Sequence, residues 1–301
     1  MVKIRVPATT ANMGPGFDSV GMALNLYNEL TVQESDRLLI ETKSKDTSAM
    51  KLFATEDNLI YQVIARFYNE IGEKLPTLKL TQNDAIPMTR GLGSSSACIV
   101  AGLFAANEIT GRPMSTDQLA QMACQIEGHP DNVAPAVYGG LIVAVLEGDE
   151  QILHHVKIEP SNELSFITFI PDFHLSTAKA RRILPQEYSR ADVIFNISRA
   201  SLFIASMMSS NFENLPVALS DRIHQPYRGT LIPGFDEIFS HAEKVGAKGT
   251  FMSGAGPTII SIVPRKNEKS FAAKMKTHLK KLPNKWETKI LHADLQGAQV
   301  L

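Results

Sequence analysis

The stretch Pro87-Met88-Thr89-Arg90-Gly91-Leu92-Gly93-Ser94-Ser95-Ser96-Ala97 decides how this chain is read. Gly91 and Gly93 carry no Cβ to keep an anion away from their backbone N–H groups. Three hydroxyls follow, and an Ala-rich apolar run from Ala97 to Ile109 begins at helical spacing. A glycine turn feeding a helix N-terminus presents unpaired N–H donors and the positive end of the helix dipole, which together suit a phosphate. One serine would be enough to cap such a helix. Three leave hydroxyls over for the anion, or for a metal riding on it. The stretch is read as a phosphate site.

It is not one of the better-known phosphate loops. A Walker A loop needs Lys directly before its Ser/Thr, and a dinucleotide fingerprint needs G-x-G-x-x-G, where this chain has Ser96 in place of the third glycine. The G-x-S-x-G elbow of serine hydrolases is absent as well.

Working outward, the 301 residues are enough for two packed domains. With 44% hydrophobic and 20% charged residues the composition is that of a globular protein. A net charge of −1, with no basic run beyond Lys280-Lys281, gives a nucleic-acid partner little support. No apolar stretch approaches bilayer length and the N-terminus lacks a signal-peptide core, so no membrane partner and a cytoplasmic location are expected. Cys98 and Cys124 fall inside apolar helical patterns and read as small core residues of a reducing compartment. The histidines show no metal-ligand spacing.

Hydrophobic periodicity predicts strands at Lys3–Pro7, Leu26–Gln33, Arg37–Thr42 and Thr77–Thr81, with a polar surface loop at Lys43–Lys51. Helices are predicted at Asn58–Ile71, Ser95–Ile109 and Thr116–Ile126. Strands follow at Leu141–Leu146, Ile152–Ile158 and Leu164–Ile170, then long helices at Ala191–Ser209 and Pro233–Val245. The tail reads strand, strand, helix, strand: Gly249–Met252, Thr258–Val263, Glu268–Leu282 and Trp286–Leu291. Strands that cluster without strict βαβ alternation favour an α+β fold, and the composition shifts gently near residues 150–165.

Further segments concentrate polar chemistry. Thr10-Ala11-Asn12-Met13-Gly14-Pro15-Gly16-Phe17-Asp18 packs glycines, a proline, an amide and a carboxylate after a strand, more than a turn requires. Glu127-Gly128-His129-Pro130-Asp131-Asn132 follows a helix. There Glu127 opposes the helix dipole unless a cation such as Mg²⁺ compensates, and His129 reads first as a structural hydrogen-bonder. Ser253-Gly254-Ala255-Gly256-Pro257-Thr258 joins two apolar strands and would bring backbone N–H groups against a polyphosphate. Arg181, after Ser176-Thr177 at a helix start, and Arg228, in Pro226-Tyr227-Arg228, are suited to a carboxylate.

Together these segments resemble the superfamily of small-molecule kinases named for galactokinase, homoserine kinase, mevalonate kinase and phosphomevalonate kinase. Its motifs are an N-terminal strand and loop, a P-x-x-x-G-L-G-S-S-[GSA]-A phosphate loop and a C-terminal glycine-rich loop, matched by Lys3–Asn12, Pro87–Ala97 and Ser253–Thr258. The segments Ala11–Asp18, His129-Pro130-Asp131-Asn132-Val133-Ala134-Pro135 and Pro226-Tyr227-Arg228 are most similar to its homoserine kinase branch, and the resemblance spans the whole chain.

The resemblance implies a two-domain α+β fold. An N-terminal nucleotide-binding domain like ribosomal protein S5 domain 2 would take residues 1–155, and a ferredoxin-like C-terminal domain residues 156–301. It implies ATP as co-substrate, held by Pro87, Met88, Thr89, Arg90, Gly91, Leu92, Gly93, Ser94, Ser95, Ser96, Ala97, Gly254 and Gly256, with Asn58 near adenine. Mg²⁺ would be held by Ser95 and Glu127, although the spacing from Glu127 to Asp131-Asn132 is shorter than in some relatives. L-Homoserine would meet Asp18 through its ammonium group, Asn12 and Asn132 through its hydroxyl, and Arg181, Arg228 and nearby Thr177 through its carboxylate. Some relatives pair an Asp with a Lys base, but no Lys lies in Thr9–Asp18. Catalysis therefore falls to Asn12 and Asn132 as orienting groups, with Asp131 as the rival general base. A mevalonate- or sugar-type kinase and a non-catalytic ligand-binding relative are the other readings. Oligomeric state, a homodimer included, is left open.

Overall fold

The computed structural model describes residues 1–43 and 56–301, so the loop expected at Lys43–Lys51 lies outside them apart from Lys43. The chain opens with β1 (Val2–Ala11), β2 (Val20–Glu34), β3 (Leu39–Thr42), α1 (Leu59–Glu70), β4 (Leu78–Asp84) and α2 (Ser94–Ile109). It continues through α3 (Thr116–Glu127), α4 (Pro130–Tyr138), β5 (Leu141–Glu147) and β6 (Ile152–Ile158). The second half runs β7 (Leu164–Pro171), α5 (Thr177–Arg182), α6 (Arg190–Ser209), α7 (Leu215–Ala218), α8 (Gln225–Gly229) and α9 (Phe235–Lys244). It ends with β8 (Gly249–Met252), β9 (Ile259–Pro264), α10 (Glu268–Leu279), β10 (Trp286–Leu291) and β11 (Gln299–Val300).

The first sheet has the order β11-β1-β2-β4-β3, and β5 and β6 continue it from β2. The 15-residue β2 makes this shape possible: Asn28–Glu34 pair with β4, while Val20–Met22 pair with β5. The second sheet has the order β10-β7-β9-β8, every pairing antiparallel. Numbered along the chain that order is 4-1-3-2, and with helices after the first strand and between the third and fourth it is a ferredoxin-like β-α-β-β-α-β layer. Among the described residues one apolar core, around Leu24, Phe67 and Val100, runs on to one face of the second sheet through Phe166, Phe251 and Ile260, and another, around Phe169, Ile238 and Phe271, fills its other face. β6 stays with the first sheet and spans the expected division at 155–156, and β11 returns to that sheet from the far end of the chain.

Local chemistry explains where the helices start. The Asn58 side chain accepts from the N–H groups of Ile60 and Tyr61 and begins α1, and Ser115 with Gln118 forms a reciprocal capping box on α3. The α4 helix escapes a sequence reading because it contains Pro135. That proline has no N–H for the carbonyl of Asp131, four residues back, and Gly21 of β2 leaves room there: a Cβ at Gly21 would lie 1.6 Å from the Asp131 oxygen. Among the described residues α6 alone has the length and apolar composition to cross a membrane.

Candidate active site

Glycine sequences separated by scores of residues meet at one point. The N–H of Gly254 donates to Ala11 O at 3.0 Å, the N–H of Thr258 to Arg90 O at 3.2 Å, and the N–H of Thr9 to Leu92 O at 3.2 Å. The Ser253 hydroxyl lies 2.6 Å from Gly91 O and 2.8 Å from Thr10 Oγ1. The glycines are steric necessities. A Cβ on Gly93 (φ 68°) would stand 1.9 Å from Thr9 Oγ1, and one on Gly91 (φ 76°) 2.4 Å from Ser253 O. The N–H groups of Gly254 and Gly256 are taken by Ala11 O and Ser253 O, so the third loop ties the other two together instead of offering those donors to a polyphosphate.

Gly93 is the N-cap of α2 and supplies no side-chain cap, so the first turn at Ser94-Ser95-Ser96 opens on the cleft with its dipole. Glu127, the last residue of α3, points at the same turn: Ser96 Oγ donates to its Oε1 at 3.0 Å and Ser95 Oγ to its Oε2 at 3.5 Å. A hydroxyl and a carboxylate are hard oxygen donors that fit Mg²⁺, which takes few protein ligands and completes its shell with phosphates and water. Among the described residues no group of three or more His, Cys, Asp or Glu side chains could hold a metal alone.

Other members of the loop have different duties. Leu92 and Ala97 are core residues, 1% and 0% exposed, and neither they nor Pro87 line the cleft. The guanidinium of Arg90 is buried and donates to the carbonyls of Met88, Pro171 and Asp172 at 2.9–3.1 Å, clamping the loop to the end of β7. Asn58 lines the cleft, but its carbonyl oxygen is occupied in capping α1.

Beyond the serines the cleft becomes a charged socket of Asp18, His129, Asp131, Asn132, Thr177, Arg181 and Arg228. Asp18 and Arg181 form a two-bond ion pair with both distances 3.0 Å. Asn12, at φ 67°, accepts from the N–H of Asp18 at 2.9 Å and donates to Gly254 O at 2.8 Å, so most of its amide is spent shaping the loop that presents Asp18. Asn132 Oδ1 accepts from Thr9 Oγ1 at 2.8 Å, which leaves its NH₂ for the cleft. The 2%-exposed Asp131 accepts from His129 Nδ1 at 2.8 Å. Burial works against the imidazolium, but that hydrogen bond and the charges of Asp131, Glu127 and Asp18 outweigh it, holding His129 above the ordinary imidazole range.

Arg228 is 1% exposed, donates to Ala180 O at 3.1 Å and Gly254 O at 3.3 Å, and lies 5.1 Å from the Phe17 ring. Desolvation lowers its pKa from the usual guanidinium value. Its setting comes from residues that the sequence reading passed over. His224 donates from Nε2 to Gly14 O at 2.7 Å and turns Nδ1 toward Arg228 Nη1 at 3.4 Å, and burial favours its neutral form. The enclosed Asp221 carboxylate accepts from the N–H groups of Ile223, His224 and Gln225 and from Asn196. At the opposite end Gln82, Asp84 and Cys98 line the cleft, also unforeseen. Burial raises the Asp84 carboxyl pKa and pushes the Cys98 thiol up to about 12. The strand expected at Thr77–Thr81 stops one residue short of Gln82, so periodicity put neither Gln82 nor Asp84 on a strand face.

Models of the GHMP kinase N-terminal and C-terminal domains match residues 58–140 and 202–281, the class to which the uncapped α2 and the ferredoxin-like layer belong. A homoserine kinase of Clostridium botulinum (strain Alaska E43 / Type E3) is 46% identical over 100% of this chain and 99% of its own length. One from Caldicellulosiruptor saccharolyticus is 44% identical over 100% and 96%. The crystal structure of homoserine kinase from Cytophaga hutchinsonii superposes with a TM-score of 0.89 at 27% identity, covering 100% of this chain and 97% of that one. The chain belongs to the homoserine kinase family of the GHMP kinases.

Proposed function

We propose that the protein transfers the γ-phosphoryl group of ATP to the side-chain hydroxyl of L-homoserine, giving O-phospho-L-homoserine, the step that commits homoserine to threonine. One observation carries this reading: an uncapped helix N-terminus with Glu127 beside it shares a cleft with a socket in which the Asp18 carboxylate stands with two guanidinium groups, Asp131 being engaged by His129. The first half suits a triphosphate and the second a zwitterion. Asp18 and Arg181 are each other's counter-ions, and an amino acid offers each a replacement, ammonium for Asp18 and carboxylate for Arg181 and Arg228. Thr177 sits at the first turn of α5 beside them. Ser95 and Glu127 would hold Mg²⁺, which when bound neutralises charge on the transferring phosphoryl group.

The NH₂ of Asn132 donates to the acceptor hydroxyl oxygen and fixes its line of attack, while Asn12 acts through the loop it shapes. The hydroxyl proton leaves late, to phosphate. With a loose, charge-rich transition state, positioning and electrostatics supply most of the acceleration. The test is a coupled assay for ADP release with L-homoserine, L-threonine, L-serine and mevalonate as acceptors. Homoserine should give the highest kcat/KM. ADP release with mevalonate but not homoserine would move the protein to another branch, and none with any acceptor would make it a binding protein.

A further inference from the structure

One end of the cleft is lined by side chains that neither a phosphate nor an amino acid accounts for. Gln82 and Asp84 stand two apart on β4, so they leave the strand on the same face, and both line the cleft beside Asn58, Leu59 and Ile60. Gln82 is 6% exposed, and its Nε2 finds no hydrogen-bond partner among the described residues. A buried amide NH₂ is costly unless something supplies an acceptor. Asp84, ionised, only accepts. The pair lines the cleft together with Cys98, which lies one turn into α2 from the serines.

The backbone beneath them is held on both sides. Gln82 lies opposite Leu30 of β2 and Thr42 of β3. Asp84 lies opposite Asn28, whose Oδ1 accepts from the N–H groups of Ala85 and Ile86 at 2.9 Å and fixes the chain's exit. A donor and an acceptor are thus set side by side on a rigid strand.

We propose that Gln82 and Asp84 read the base of the nucleotide, Gln82 donating to a ring nitrogen of adenine and Asp84 accepting from its 6-amino group. Adenine presents a ring-nitrogen acceptor next to that amino donor, N7 on one edge and N1 on the other, which is the complement of this pair. Guanine carries O6 in place of the amino group and in the same pose would set acceptor against acceptor at Asp84. The proposal rests on placing the nucleotide phosphates at the N-terminus of α2, and it is independent of which acceptor is phosphorylated.

The experiment measures dissociation constants by displacement of a fluorescent ATP analogue, with Mg²⁺ and no acceptor present. The competitors are ATP, GTP, purine riboside triphosphate (which lacks the 6-amino group) and inorganic tripolyphosphate. Wild type should bind ATP about tenfold or more tighter than purine riboside triphosphate, the worth of one hydrogen bond to a charged group. Asp84→Ala should bring that ratio close to one. Gln82→Met should weaken both ATP and purine riboside triphosphate about tenfold while sparing tripolyphosphate. An unchanged ratio in Asp84→Ala, equal losses for tripolyphosphate in Gln82→Met, or tighter binding of GTP than ATP by wild type would each overturn it. With no acceptor in the assay, failure of the homoserine reading leaves the result interpretable.

Discussion

At the scale of single residues the cleft separates groups that touch reactants from groups that hold them. Glu127→Gln and Ser95→Ala should each lower Mg²⁺-dependent turnover at least about 100-fold, since a metal on the phosphates stabilises several kcal/mol of developing charge. Circular dichroism and Tm should show the fold intact, and wild-type-like turnover in Glu127→Gln would move the metal ligand elsewhere. Asp131→Asn tests the base. The asparagine carbonyl still accepts from His129 but takes no proton from substrate, so near-normal kcat is expected and Asn132→Ala should be the more damaging change. A loss of about 10²–10⁴-fold in Asp131→Asn with both substrates still bound would install Asp131 as general base. His129 gives a pH dependence whose sign is fixed. Its folded pKa lies above the unfolded value, so its contribution is complete below about 6.5 and disappears as pH rises through the folded pKa. Denaturation between about pH 6 and 8 should show this declining contribution in wild type, absent from His129→Asn. An identical pH slope in both would leave His129 without that linkage.

At the scale of elements, the phosphate loop shows what sequence alone reveals. Gly91 and Gly93 were legible as a close-approach turn because no other residue type leaves the backbone so bare. That they make room for Thr9 and Ser253 was not legible, since those contacts join positions far apart in the chain. Gly93→Ala should therefore do more than add αL strain, worth on the order of 1–3 kcal/mol. It sets a methyl group into Thr9 Oγ1. Chemical denaturation should record a loss larger than strain alone, with nucleotide binding lost as well. Wild-type binding by this variant would separate the three loops. The polar residues at the start of α4 were visible as a cluster, but the helix was hidden by Pro135, which packs where a glycine more than a hundred residues earlier leaves room. Asn58 was noticed for its position, and its capping duty follows from local geometry. Gln82 and His224 left no trace, because a lone polar residue acquires meaning only from the neighbours that folding gives it.

At the scale of the molecule, α+β order and the ferredoxin-like second layer follow from strand and helix succession. The return of the chain to its beginning does not. Gln299 pairs with Arg5 and also bonds to its guanidinium, Val300 pairs with Ile4, and the N–H of Leu301 donates to Lys3 O at 2.8 Å. Two residues of strand are too short to announce themselves by periodicity. Deleting Gln299–Leu301 removes these bonds and bares the β1 edge. A loss of roughly 1–3 kcal/mol and faster aggregation are expected, measured by denaturant titration and light scattering. Unchanged stability would make β11 ornamental.

That closing strand also bears on how the protein is born. β11 comes after every element of the second sheet, so a ribosome must deliver the whole ferredoxin-like layer before the first sheet gains its last neighbour. A domain that would ordinarily mature ahead of its successor instead waits with β1 unpaired on one side. During translation that open edge is the natural place for a chaperone to bind, or for two nascent chains to find each other.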